Sequence, residues 1–524
     1  MARRALPIGP AGWLGAGSAS LVLALSFGTL GAVLARSGGW GVLGPADWAA
    51  VRFTITQALV SAALSVLLAV PAARALARRQ FRGRGLLITL LGAPFILPVI
   101  VAVMGLLAVF GRSGLLNGAL GALGVAPVSI YGFQGVVLAH VFFNLPLAVR
   151  LILQGWLAIP AERFRLAAAL GMGPPEIARF LERPMLKETL PGAFLAIFLI
   201  CLTSFAVALT LGGGPGATTI ELAIYQAFRF DFDLGRAATL ALAQFAICIA
   251  AALAALRLAT PSGFGAGLDR RARVQWGADG AALRIADALI LTLLSLFLLA
   301  PLCAVLAAGL PNLGGLTAPV WFAALRSLGV ALASTLVALL LALCLALGIV
   351  RLGGGRGRAL ETIGMLALAA SPLVIGTGLF ILARPFANPA TLALPVTTLV
   401  NAVMALPFAL RALLPAVRDE DEGYGHLAEA LGMRGLTRLR LVTLPRLRRP
   451  LGFAAGLAAA MSMGDLGVIA LFADPGHATL PLQLYRLMAA YKMGDAAGAA
   501  VLLMALSLML FWLFDRGGRV DADA

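Results

Sequence analysis

Apolar runs of about twenty residues, the length a helix needs to cross the hydrocarbon of a bilayer, recur about twelve times, from 13–35 to 496–515. A segment inside lipid has no water to satisfy its peptide groups, and a helix of that length satisfies its own. The pattern therefore predicts an all-α, polytopic membrane protein with about twelve transmembrane helices. Composition agrees: 61% of the 524 residues are hydrophobic and 12% are charged, against about 45–50% and 25% in soluble domains. The runs leave only loop-sized pieces outside the membrane.

A net charge of +17 raises the question of a nucleic-acid partner, and the placement of the basic residues answers it. They sit in short clusters between alternate apolar runs, such as Arg74, Arg78, Arg79, Arg82 and Arg84, or Arg351, Arg356 and Arg358. That is the positive-inside pattern of a lipid-embedded chain, which puts both termini in the cytoplasm and calls for a bilayer rather than nucleic acid as partner. Arg3 and Arg4 precede an apolar run longer than the ~7–15 residue core of a secretory signal, so a retained first span is expected. Cys201, Cys248, Cys303 and Cys344 lie inside apolar runs, with neither metal-ligand nor disulfide spacing.

The chain repeats itself. LAAALGMGPPEIARFLERPML, from Leu166, recurs as LAEALGMRGLTRLRLVTLPRL, from Leu427, at an offset of 261. Leu170, Gly171, Met172 and Pro184 match Leu431, Gly432, Met433 and Pro445, and Leu145, Pro146 and Arg150 match Leu406, Pro407 and Arg411. Nearer the front of each half, Ser61 and Pro98 align with Ser334 and Pro372. The extra length of the first half falls in one outside loop, 111–129 against 384–391. Two homologous six-helix halves follow: residues 1–258 and 285–524, joined by a Gly-rich, basic cytoplasmic linker over 259–284. A parallel repeat of this kind relates its halves by a pseudo-twofold axis along the membrane normal.

The matched segments, near 160–190 and 415–450, are the longest inside loops. Helix-forming sequence reaches Gly171, a second helical stretch begins near Glu176, and Pro184 is expected to end it. Helix, turn, helix at one spacing in both halves points to a preformed device.

These segments resemble the EAA loop of ATP-binding-cassette (ABC) importer permeases, whose pattern is Glu-Ala-Ala, a Gly, then an apolar-Pro pair. The resemblance implies the type I importer permease fold, with Ala167, Gly171 and Pro184, and Ala428, Gly432 and Pro445, marking two loops whose short helices dock on two ATPase subunits. Arg179, Arg438 and Arg440 would suit an acidic partner surface. The family's Glu is replaced by Arg165 and His426, which puts its ion pair to the ATPase in question and leaves open whether these two residues take over that contact. Lys187 and Lys492, the only lysines, do not follow a Gly, which leaves no Walker A. ATP and Mg are then used by the separate ATPase, with no cofactor on this chain.

Fused two-half permeases resemble either the thiamine or the ferric-iron group. IYGFQGVVLAHVFFNLPLAVRLILQ, from Ile130, and TSFAVALTLGGGPGATTIELAIYQAFRFDFD, from Thr203, are similar to the permeases for thiamine and thiamine pyrophosphate. That implies an inner-membrane transport subunit, not itself an enzyme, fed by a periplasmic thiamine-binding protein. A ferric-iron importer is the alternative within the class; an ion-coupled transporter would need several charges within spans. Asp465 is the acid expected inside a span, aligned with Ser204. It either meets the thiazolium cation or caps a helix. Phe143 and Asn144, with His140 and Phe142, either stack on a flat heteroaromatic or pack the bundle.

Overall fold

The computed structural model describes residues 9–36, 42–92, 96–258, 280–367, 371–388, 391–472 and 475–519. Most of the linker, 259–279, and the arginines Arg3, Arg4, Arg270, Arg271 and Arg273 lie outside the described residues.

The first half runs α1 (Pro10–Leu23) and α2 (Thr29–Arg36), joined by a π turn over Ala24–Gly28, then α3 (Pro45–Arg78), α4 (Arg84–Leu90), α5 (Val99–Phe110), α6 (Leu115–Ala122) and α7 (Phe133–Leu157). It continues through α8 (Ala161–Ala169), α9 (Pro174–Ile177), α10 (Arg183–Leu202), α11 (Ala206–Leu211), α12 (Ile220–Arg229) and α13 (Leu234–Leu258). The second half repeats the order as α14 (Ala281–Gly309), α15 (Ala318–Leu352), α16 (Gly354–Leu366), α17 (Pro372–Ala383) and α18 (Ala393–Ala430). It ends with α19 (Gly435–Arg438), α20 (Leu444–Met463), α21 (Gly467–Phe472), α22 (Leu480–Ala489) and α23 (Met493–Arg519).

Among the described residues, eleven helices are long and apolar enough to span a membrane, and Pro372–Ala383 is a shorter apolar helix. The expected ninth span, 361–383, is interrupted between α16 and α17. The equivalent third span, 86–110, is interrupted between α4 and α5. Pro98 is the N-cap of α5 and Pro372 stands in the first turn of α17, so the two matched prolines each restart a helix after a break. One difference between halves has an equally local cause. Pro160 separates α7 from α8, whereas Asp421, 261 residues on, lets α18 run unbroken for 38 residues.

The halves exchange their first helices. α1 packs on α15, and α2 on α17, while α14 packs on α5 and α3. Matched glycines permit both crossings: a Cβ at Gly105 on α5 would sit 2.5 Å from the Pro301 carbonyl oxygen, and one at Gly378 on α17 2.4 Å from that of Thr29. Gly15 of α1 and Gly348 of α15 likewise bring backbones together, a Cβ on either lying 2.8 Å from the other's Cα. Lipid offers no hydrophobic drive between helices, so such close packing of small residues holds them.

Candidate coupling loops and the seam between the halves

In the first loop α8 ends on a left-handed Gly171, φ +66°, and Gly432 does the same after α18 at φ +67°. The Met172 N–H donates to the Ala167 carbonyl at 2.9 Å and Gly171 N–H to that of Ala168 at 3.0 Å. Met433 donates to Ala428 at 2.8 Å and Gly432 to Glu429 at 3.0 Å. Both are Schellman turns, which satisfy the last carbonyls of a helix and need a residue that tolerates positive φ. The repeated Ala-x-x-x-Gly-Met is thus a helix stop: Ala167 and Ala428 are buried acceptor positions and the glycines supply the turn.

Pro184 and Pro445 do not end a helix, contrary to expectation. Each stands in the first turn of a long helix, α10 or α20, immediately after a π turn, Ala178–Glu182 or Leu439–Thr443. The N–H before each proline reaches five residues back, Arg183 to Ala178 and Leu444 to Leu439. A proline ring in an α-helix clashes with the carbonyl four residues earlier; the wider π turn moves that carbonyl aside and the helix continues. Each loop therefore leads rigidly into its fifth span.

Each loop exposes large apolar side chains at matched positions. Leu166, Leu170 and Phe180 are exposed in the first, and their counterparts Leu427, Leu431 and Leu441 in the second, with Leu170 and Leu431 each at 62%. Matched large apolar side chains on two helix-turn-helices form an interaction surface. The repeat alignment matched Leu170 with Leu431 without assigning them a surface, and the pairs Leu166 with Leu427 and Phe180 with Leu441 carried the missed signal, large apolar residues opposite one another in loops rich in charge. Of the three cations expected to face a partner, Arg438 bonds Asp421 at 2.9 Å and Glu420 at 3.2 Å and is committed within its own loop. Arg179 and Arg440 are exposed.

At the seam the fifth span of each half is broken at equivalent places, Thr203–Phe205 and Gly464–Leu466. The breaks adjoin through Phe205, whose ring would lie 3.7 Å from a Cβ at Gly467, and Gly464 packs on the third-span break of the first half, a Cβ there lying 3.1 Å from the Cα of Pro98. Ser204 and Asp465 are therefore brought to adjoining breaks. Asp465 Oδ1 accepts the Gly467 N–H at 3.2 Å and so caps α21, while its buried Oδ2 has no hydrogen-bond partner. Asn144 is elsewhere. Its Nδ2 donates to the His140 carbonyl at 2.9 Å and meets Cys201 Sγ at 3.3 Å, inside the contact of α7 with α10. Phe143 packs edge-on against Phe142.

Around the breaks lies a set of rings drawn from both halves. Phe205 meets Tyr225 with centroids 5.3 Å apart, Phe228 meets Phe380 at 4.7 Å, and Phe380 meets Phe472 at 5.2 Å. α12, with Ile220, Leu222, Ile224 and Phe228 buried, carries Tyr225 and Phe228 to the seam. Its N-terminus is held by the Thr54 hydroxyl, which accepts the Ile220 N–H at 2.9 Å; Ser327 accepts the Leu480 N–H at 2.8 Å in the other half.

Comparison with known proteins finds no matching family model. The chain is 40% identical to the thiamine transport system permease protein ThiP of Brucella abortus (strain 2308) over 512 residues, 95% of this chain and 94% of that protein. It is 41% identical to the thiamine transport system permease protein ThiP of Escherichia coli (strain K12) over 547 residues, all of both chains. Over 201 residues, 36% of this chain and 68% of the relative, it is 30% identical to the trehalose/maltose transport system permease protein MalF of Thermococcus litoralis.

Proposed function

This chain belongs to the thiamine transport system permease family, and from that membership we infer that it is the membrane-spanning subunit of an ABC importer that carries thiamine inward. The observation that carries the inference is identity near 40% along essentially the whole length of both chains. It favours thiamine over the ferric-iron alternative. The chain is a multi-pass inner-membrane transport subunit rather than an enzyme.

In this proposal two ATPase subunits, which hydrolyse ATP with Mg, dock beneath the loops at Leu170 and Leu431, and a periplasmic binding protein delivers substrate to the opposite face. Both termini then lie in the cytoplasm, on the side of the loops. ATP-driven approach of the ATPase subunits moves each loop as a unit with its fifth span, because the π turn at Pro184 or Pro445 leaves no flexible joint. The adjoining breaks at Ser204 and Asp465 separate as those spans move, which opens the seam to substrate. The spare oxygen of Asp465 and the rings of Phe205, Tyr225 and Phe380 offer a carboxylate and π faces, the chemistry that suits a flat cationic heteroaromatic.

Vesicles reconstituted with the chain, its ATPase and its binding protein test this by ATP-dependent uptake of labelled thiamine, with ferric iron as competing cargo. Thiamine uptake that iron does not suppress is expected. Iron uptake in its place would overturn the assignment.

A further inference from the structure

At the loop end of the bundle, α3 and its C-cap residue carry three arginines that bind carboxylates on two other elements. Arg74 clasps Glu182, in the π turn of the first loop, through Nε–Oε1 at 3.0 Å and a second contact at 2.9 Å. One turn on, Arg78 clasps Asp287 of α14 with both carboxylate oxygens, and Arg79 Nε donates to the same Asp287 at 2.7 Å. Glu182, Arg78 and Asp287 are all buried. Truncating one member of a buried, hydrogen-bonded pair leaves the other charge uncompensated, so such contacts hold their elements in fixed register.

The second half builds the same crossing from different chemistry. The exchanged-helix contacts pair Pro301 with Thr29, an offset of 272, which sets Asp287 opposite Gly15. Gly15 lies backbone to backbone against Gly348. At 273 residues from Arg74, Arg78 and Arg79 stand Leu347, Arg351 and Leu352, and at 261 from Glu182 stands Thr443, so the second half keeps one arginine of the route but neither of its acids. The second loop instead ties Arg438 to Glu420 and Asp421 of α18, within its own half. A continuous set of ion pairs thus runs from the first loop through α3 into the exchanged helix of the other half. The positions matching Arg74, Glu182 and Asp287 at the second crossing are Leu347, Thr443 and Gly15, so this set of pairs is not repeated there.

We propose that Glu182, Arg74, Arg78, Arg79 and Asp287 transmit movement of the first loop to α14, so that the first loop is coupled to the opposite half more tightly than the second loop is. These are positioning residues: they touch neither substrate nor nucleotide. The proposal rests on the loops being the ATPase docking sites. It makes the pseudo-symmetric permease mechanically one-sided, with ATP hydrolysis beneath the first loop more closely tied to opening of the seam.

The test measures thiamine imported per ATP hydrolysed in vesicles holding the permease, ATPase and binding protein. Glu182→Gln should still co-purify with the ATPase and hydrolyse ATP when the binding protein is present, yet import at least about fivefold less per ATP, the low end of allosteric coupling. The charge swap Arg74→Glu with Glu182→Arg should restore the ratio, a rescue that loss of local stability alone would not give. Glu420→Gln with Asp421→Asn should leave the ratio near wild type. Asp287→Asn should uncouple as Glu182→Gln does; where it accumulates poorly because two guanidinium groups lose their counter-ion, the Glu182 variants decide. An unchanged ratio in Glu182→Gln, failure of the swap to rescue, or an equal loss in the Glu420 and Asp421 variant overturns the proposal. Failure of the wild-type chain to bind the ATPase or import thiamine would overturn the function proposed above instead.

Discussion

At the residue scale, the groups that matter most are those whose environment leaves them little choice. Glu221, in the first turn of α12 and between spans, is fully buried, and neither carboxylate oxygen has a hydrogen-bond partner. The Ser371 hydroxyl of the other half faces it and draws its pKa down slightly, but burial dominates and pushes the carboxyl up from 4.5 to about 7. A carboxyl raised in the folded state binds more protons there than in the unfolded chain. Its contribution is therefore complete below the unfolded value of 4.5 and is lost as pH rises through about 7. Thermal unfolding of the detergent-solubilised chain should shift to lower temperature between about pH 5 and about pH 8, and Glu221→Gln should flatten that slope. Identical slopes for wild type and variant would mean that Glu221 is solvated or paired. The Asp465 carboxylate was the residue most visible in the sequence, standing in an otherwise apolar span. Capping was one of the two roles its sequence allowed, and the structure shows it capping α21, a helix whose start depends on where the chain breaks.

At the element scale, the two loops derive their rigidity from a Schellman turn at one end and a π turn at the other, and their chemistry from matched exposed apolar side chains. Leu170 and Leu431 lie on the turn itself, away from the bundle. Leu170→Asp combined with Leu431→Asp should therefore leave the thermal stability of the isolated permease within about 0.5 kcal/mol, as surface changes do. It should abolish co-purification of the ATPase. A complex that survived both substitutions would place the docking surface elsewhere. The Gly-to-Pro spacing was legible in the sequence, and so was the equivalence of the two copies. The continuity of the helix through Pro184 was not. Proline is read locally as a stop, and only the backbone shows the preceding turn widened to receive it.

At the scale of the whole molecule, the exchange of first helices makes the two halves interdependent. α1 and α2 find their packing on α15 and α17, and α14 finds its packing on α3 and α5. A chain cut between residues 258 and 280 should yield halves that fail to accumulate singly but co-purify, and import thiamine, when expressed together. A first half that was stable and monodisperse alone would show that the exchange contributes little. The same contacts explain Gly105 and Gly378, since any larger residue there must push a backbone carbonyl of the other half away. Gly105→Leu or Gly378→Leu should cost about 1–3 kcal/mol by overpacking, read as a lower unfolding temperature of the intact chain.

The sequence by itself determined the solvent, the helical class, the twofold repeat and the position of the loops. Each is a property of apolar run length, charge placement or self-similarity, and none depends on which helix touches which. Family resemblance in the loops and in the stretches from Ile130 and Thr203 pointed to thiamine. The tertiary structure decided which helices cross between halves, where the fifth spans break beside one another, and which charges meet. Arg78 and Asp287 are 209 residues apart in the chain, and both read locally as ordinary charges at the ends of spans. Their pairing exists only because α14 is folded against the other half.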